Sequence, residues 1–187
     1  TLCYVFYANM LQIAFSDHKK SQEFGILALK LSNKYNNPIL KCKILTGTST
    51  FLAHFHEHIS ISINNFEEAT NLVVESGNPI YASYDIYYSC LYKFILGENL
   101  DDLYHYVINI SKFLKNINVI ARLEVLQFLL MEPIQAFSGI EYVKNFDILE
   151  KTFLEKNKNS QVLVDNFYYV KIKTFYFLEE YDKALEL

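Results

Sequence analysis

Apolar residues recur at intervals of three and four along almost the whole chain, and this periodicity constrains the fold more than any other feature. It predicts helices at roughly 2–15, 18–35, 39–55, 58–76, 79–96, 100–116, 118–137, 145–156, 160–178 and 180–187. With 5 Gly and 3 Pro in 187 residues, the chain has few of the residues that tight turns require. The sequence therefore predicts an all-α fold of about nine to ten helices.

Short breaks between these segments carry the residues that end one helix and begin the next. Asn36-Asn37-Pro38 places a Pro at a helix start, and Ser76-Gly77-Asn78-Pro79 adds a Gly suited to a left-handed C-cap. Because such links are short, consecutive helices should pack as antiparallel hairpins. We expect one domain over residues 1–187, with hairpins at roughly 1–37, 38–78, 79–117, 118–157 and an incomplete one at 158–187.

The hairpins carry signs of an internal repeat. Asn37-Pro38-Ile39 recurs 41 residues later as Asn78-Pro79-Ile80, and the same offset brings Ala28 onto Ala69. A small residue at matched positions lets two helices approach closely. Repeats of this length are typical of helical-hairpin solenoids. The expected architecture is therefore a stack of antiparallel hairpins.

Composition limits the partners that the chain can bind. A net charge of -4 without a basic stripe argues against nucleic acid. The most apolar window, at residues 119–131, is too short to span a bilayer, so no membrane insertion is expected. Cys3, Cys42 and Cys90 are few and lie in apolar stretches, as buried thiols in a reducing cytoplasm would.

The C-terminal segment YYVKIKTFYFLEEYDKALEL, residues 168–187, joins an aromatic helix to a turn containing Tyr181 and then to Ala184. This order resembles the middle of a tetratricopeptide (TPR) unit, in which the turn Tyr docks between two helices and the Ala lies at their contact. The resemblance implies a TPR-like α-solenoid.

A longer resemblance is carried by EFGILALKLSNKYN, LKCKILTGTSTFLAHFHEHI, EEATNLVVESGNPIYASY and FILGENLDDL, in this order from residue 23 to residue 103. The order is similar to the helical-repeat region of large bacterial signalling proteins. These combine a Ser/Thr-kinase-like domain, a STAND-type (AAA-related) ATPase, this region, and often GAF and histidine-kinase domains. The resemblance implies a cytoplasmic regulatory module. Since the chain starts at Thr1 without Met and stops at Leu187 inside a helical pattern, we expect a piece of such a protein.

The segment AHFHEH contains the densest group of titratable side chains. On a continuous helix His54 and His58 would share one face at a spacing that can hold a metal, whereas His56 would point elsewhere. Zinc needs at least a third ligand, and no second helix offers one. A structural role at a helix junction is the preferred interpretation, and a surface facing a partner or a metal site are the alternatives.

Tyrosines form a second feature. Tyr81, Tyr84, Tyr88 and Tyr92 fall on one helical stripe. Tyrosine suits both a helix–helix contact and a groove that binds peptides, because it joins an apolar ring to a polar tip. Packing is the preferred interpretation and a groove is the alternative.

No catalytic motif is present: the chain has no GxxxxGK[ST] loop and no HRD or DFG segment, and the acidic pairs such as Glu67-Glu68 are interpreted as helix starts. Without a cofactor motif, we expect a non-catalytic interaction or relay module whose partners are other proteins or domains of the same polypeptide. A peptide-sensing regulator, a metal-dependent enzyme and a structural spacer are the alternatives. The candidate partner or peptide surface comprises Thr50, His54, His58, Tyr84 and Tyr88.

Overall fold

The computed structural model describes residues 1–35, 37–75, 79–116 and 146–187. These residues form helices and no strand. The helices are α1 (Leu2–Phe15), α2 (His18–Lys34), α3 (Pro38–Phe51), α4 (Ile59–Glu75), α5 (Pro79–Ile95), α6 (Leu100–Asn116), α7 (Phe146–Asn157), α8 (Gln161–Phe177) and α9 (Tyr181–Leu185), with a 3₁₀ turn at Ala53–Phe55. The predicted all-α fold is confirmed. The predicted helix at 118–137 and the Gly77 cap lie outside the described residues.

Local caps explain why several helices begin where they do. The Asn37 side chain accepts a hydrogen bond from the backbone N–H of Leu40 at 2.9 Å, and Pro38 follows it at the first helical position. Asn99 caps α6 in the same way, by accepting from the backbone N–H of Asp101 at 2.9 Å. Gly97, with φ of 76°, ends the segment after α5 in the left-handed region. The Asn, Pro and Gly residues that form these helix ends can be recognised in the sequence.

The chain divides into two compact units, Thr1–Gly97 and Glu98–Leu187. In the first unit α1 packs on α2, α3 on α4, and α4 on α5, and the first helices of neighbouring hairpins also touch, α1 on α3 and α3 on α5. One core cluster joins Val5, Ala28 and Ile44, and another joins Ile63, Phe66 and Tyr92. Burial of these side chains accounts for the packing of the helices in this unit.

The 41-residue offset relates buried positions of α3 to buried positions of α5. Residues that are at most 5 % exposed correspond in pairs. The pairs are Cys42 with Ser83, Ile44 with Asp85, Leu45 with Ile86, Thr48 with Ser89 and Ser49 with Cys90. The two helices therefore bury the same face, and in one pair a carboxylate replaces an aliphatic side chain.

In the second unit, α7 packs against α8 through the rings of Phe153 and Phe167, whose centroids are 5.6 Å apart. The Lys171 ammonium donates to both oxygens of Glu150 at 2.6 and 2.7 Å. At the turn into α9, the ring of Tyr181 lies 5.6 Å from that of Tyr176. Tyr181 is half exposed, so its ring remains accessible to solvent.

The interpretation of Glu67 and Glu68 as residues at a helix start is wrong. Both lie in the middle of α4. Glu67 pairs with Lys93 of α5 at 3.0 Å and Glu68 with Lys41 of α3 at 2.6 Å. They therefore link α4 to its two neighbours in place of interacting with a helix dipole. Among the described helices, none combines the length and the apolar character needed to cross a membrane.

Candidate functional site: a groove on the first helices

A groove opens on the first unit where α1, α3 and α5 lie side by side. Its cavity volume is about 390 Å³, within the range of pockets that bind small ligands or peptide side chains. Side chains of all three helices line it: Leu2, Val5, Phe6, Lys43, Thr46, Gly47, Thr50, Phe51, Tyr81, Tyr84 and Tyr88. The lining is therefore largely apolar and aromatic.

Because Gly47 has no side chain, α1 and α3 can pack closely beside the groove. A Cβ atom built on Gly47 would lie 2.8 Å from Cγ1 of Val5, closer than carbon atoms can pack. Gly47 therefore marks a close crossing of the two helices. The close approach brings the side chains of α1 and α3 together on one wall of the groove.

Three of the five predicted surface residues, Thr50, Tyr84 and Tyr88, line this groove together. The Thr50 hydroxyl has no hydrogen-bond partner among the described residues. Tyr84 is 39 % exposed and its ring lies 6.3 Å from that of Tyr81. The groove wall therefore contains a buried hydroxyl without a hydrogen-bond partner among the described residues, next to exposed aromatic rings.

The tyrosine stripe divides between core and groove. Tyr92 is 8 % exposed and makes an edge-to-face contact with the ring of Phe66. Its hydroxyl donates to the Ser49 carbonyl at 3.4 Å. Tyr88 stacks on the same Phe66 ring, also contacts Tyr92, and lines the groove, and burial raises its pKa. Tyr92 of the stripe thus packs in the core, whereas Tyr88 both packs on Phe66 and lines the groove.

His54 and His58 lie away from the groove. His54 belongs to the 3₁₀ turn at Ala53–Phe55, and His58 directly precedes α4, so no continuous helix joins them. His58 Nδ1 accepts from the backbone N–H of Ser60 at 3.3 Å, which satisfies a free donor at the start of α4. Burial, and then the neighbouring His56, lower the pKa of His54. In the described part of the chain no group of three His, Cys, Asp or Glu could hold a metal.

Lys43 is the one charged side chain on the described groove wall. Its ammonium lies 5.0 Å from the ring centroid of Tyr81, at a cation–π distance. Lys41 and Lys93 of the same unit are held in ion pairs, whereas no carboxylate of the described residues pairs with Lys43. The groove therefore presents a positive charge beside an aromatic surface.

Asp85 lies buried beside the groove wall, and sequence reasoning did not select it. Its carboxyl is fully buried between α5 and α3. The Thr46 hydroxyl lies 2.6 Å from Oδ1, and the Cys42 thiol donates to Oδ2 at 3.7 Å. Burial raises the pKa of Asp85 to about 7 because neither partner carries a positive charge. Its alignment with Ile44 in the 41-residue repeat was a usable signal.

These groups are poorly suited to nucleophilic catalysis. Burial, followed by the nearby Asp85, raises the pKa of the Cys42 thiol to about 12. A catalytic thiol needs a depressed pKa and an adjacent base. The fully buried Cys42 therefore remains a protonated hydrogen-bond donor to Asp85.

Comparison with protein-family models, with curated proteins and with solved structures finds no match to this chain. The TPR-like and signalling-ATPase resemblances therefore stay expectations from the sequence.

Proposed function

We propose that the chain is a non-catalytic protein-interaction module that binds a segment of another protein, or of another domain of the same polypeptide, in the groove between α1, α3 and α5. The observation that carries this proposal is the convergence of Thr50, Tyr84 and Tyr88 with Phe6 and Lys43 in one cavity. Aromatic residues are the commonest anchors of protein interfaces.

The groove chemistry defines the occupant. Exposed aromatic carbons, such as the Phe6 ring at 62 % exposure, favour an apolar or aromatic side chain. The Lys43 ammonium, which is in an ion pair with no carboxylate of the described residues, favours an acidic group close to it. We therefore propose a short segment that combines an apolar or aromatic residue with Asp or Glu.

A relay role within a STAND-type ATPase and signalling kinase is the wider context proposed for this module. The sequence resemblance supports this context, and a groove on the first helices of successive hairpins would serve it by holding a segment of a neighbouring domain. A cytoplasmic location belongs to the same proposal.

Selection of a random peptide library displayed on phage tests the groove. Against the full chain, we expect enrichment of peptides that contain an aromatic residue near Asp or Glu. For these peptides, Tyr84→Ala and Lys43→Gln should each weaken binding at least about tenfold, the size expected of an interface anchor. Isothermal calorimetry with synthetic copies of the enriched peptides measures the change.

Ile13→Ala is the matched control, because Ile13 is an exposed aliphatic residue of α1 that does not line the groove. Its peptide affinity should equal that of the wild type. Absence of an enriched peptide family, or equal weakening by Ile13→Ala, would instead favour a structural spacer.

A further inference from the structure

The Asp85 carboxyl is unusual because it is buried and no cation of the described residues pairs with it. The elements packed against α5 in this unit are α3 and α4. In α4, Glu67 and Glu68 form ion pairs with Lys93 and Lys41. Around Asp85 itself, the described structure places only the uncharged donors of α3. An ionised carboxylate at this position is thus poorly compensated.

The partners of Asp85 connect it to the groove. Thr46 lines the groove and its hydroxyl lies 2.6 Å from Asp85 Oδ1 and 2.9 Å from the backbone carbonyl of Cys42. A hydroxyl carries a single proton, so it can donate to only one of these acceptors at a time. Which acceptor it serves depends on whether Asp85 holds a proton.

When Asp85 is protonated, its O–H donates to Thr46 Oγ1 and the Thr46 hydroxyl donates to the Cys42 carbonyl. When Asp85 loses its proton, the Thr46 hydroxyl turns to donate to the carboxylate. The second state also places a negative charge behind the wall that carries Lys43. That charge opposes the attraction of Lys43 for an anion, and the low polarity of the interior strengthens the opposition.

We propose that the groove is a proton-linked binding site, in which ionisation of Asp85 reorients Thr46 and weakens binding of an anionic ligand. The proposal rests on the groove being the ligand site. Binding of an anion must in turn favour the protonated form of Asp85 by the same factor, because linkage between two sites is reciprocal. Asp85 loses its proton as pH rises through its pKa of about 7, and the affinity for an anionic ligand therefore falls over the same range.

The test uses 8-anilinonaphthalene-1-sulfonate as the probe, since it joins aromatic rings to a sulfonate that stays ionised from pH 5 to pH 9. Nuclear magnetic resonance of the isotope-labelled full chain follows the Asp85 carboxyl carbon and the signals of Thr46 and Tyr84. We expect the Thr46 and Tyr84 signals to shift with the same midpoint as the Asp85 carboxyl. Probe affinity should fall roughly fivefold between pH 6 and pH 8.

Two variants separate the steps. Asp85→Asn keeps the shape and hydrogen bonding of the protonated acid, so its probe affinity should not change with pH. Thr46→Val keeps the size of Thr46 and removes its hydroxyl, whose hydrogen bond lowers the pKa of Asp85. The Asp85 midpoint should therefore rise in this variant, and the dependence of probe affinity on pH should move with it. Circular dichroism confirms that each variant is folded.

The outcomes distinguish the two proposals. Probe binding in the groove with equal affinity at pH 6 and pH 8 would overturn the proton linkage and leave the binding function intact. Failure of the probe to shift any groove signal would count against the binding function. The pH titration of the chain without probe then tests the linkage separately. The proton linkage is overturned if the Thr46 and Tyr84 signals do not shift with the midpoint of the Asp85 carboxyl.

Discussion

Helices α3 and α5 bury corresponding faces with different chemistry. Ile44 of α3 and Asp85 of α5 are related by the 41-residue offset, and both are fully buried. Ile44 belongs to an aliphatic cluster with Val5 and Ala28, whereas Asp85 meets the hydroxyl of Thr46 and the thiol of Cys42. The helical framework accepts either side chain provided that its neighbours match it. A repeat can therefore keep its packing while one copy acquires a titratable group.

The largest expected effect comes from replacing Ile44 of α3 with Asp, the residue that α5 has at the corresponding position. Ile44→Asp would place a carboxylate in the aliphatic cluster that Ile44 forms with Val5 and Ala28. We expect a loss of about 4 kcal/mol or more in the free energy of unfolding, as for other unpartnered buried charges. Urea denaturation of the full chain at pH 8 measures it.

Ile44→Val is the control for this substitution, with an expected loss of about 1 kcal/mol for one methylene group. If Ile44→Asp were no more destabilising than Ile44→Val, the two buried positions would be equally tolerant of charge, and the contrast between α3 and α5 would disappear.

The pH dependence of the free energy of unfolding tests whether burial raises the pKa of Asp85. The folded-state pKa of about 7 lies above the ordinary value of 3.8, so the folded chain keeps a proton that the unfolded chain has lost. The associated stabilisation is complete below pH 4 and is lost as pH rises through 7. Relative to Asp85→Asn, the wild type should lose on the order of 4 kcal/mol between these limits.

Urea denaturation of both proteins at several pH values between 3 and 8 measures this difference, and subtraction removes the titration of all other groups. Parallel curves for the wild type and Asp85→Asn would show that Asp85 titrates normally in the folded chain.

A smaller effect is expected at Gly47 of α3, which the repeat aligns with Tyr88 of α5. Gly47→Ala would set a Cβ atom 2.8 Å from Val5 Cγ1. We expect a net loss of about 1 kcal/mol, because overpacking exceeds the gain in helix propensity. Gly25→Ala is the control: its Cβ would lie 3.1 Å from the terminal Cδ1 of Leu52, which can move. Thermal unfolding compares the two, and a more stable Gly47→Ala would show that α1 and α3 can separate.

Sequence reasoning located most helices to within two residues because their boundaries depend on local caps. It placed the end of the third helix at residue 55, whereas α3 ends at Phe51 and a 3₁₀ turn follows. The apolar character of Leu52, Ala53 and Phe55 continued the periodic pattern past this end. For the same reason, the helical spacing considered for His54 and His58 does not exist in the structure.

The candidate site was predictable in part. Thr50, Tyr84 and Tyr88 were selected and do line the groove, but Phe6, Lys43 and Asp85 were not. Their importance depends on contacts between helices far apart in sequence. Asp85, for example, meets Thr46 across 39 residues, and no pattern within α5 alone shows that a hydroxyl will face it.

The sequence by itself determined the all-α class, because periodicity, Pro, Asn and Gly act within one or two helical turns. Tertiary structure alone decided which tyrosines enter the core and which face the groove, because burial depends on the neighbouring helix. It also decided the chemistry of Asp85. Its pKa is raised through loss of contact with water, and packing of α3 against α5 removes that water.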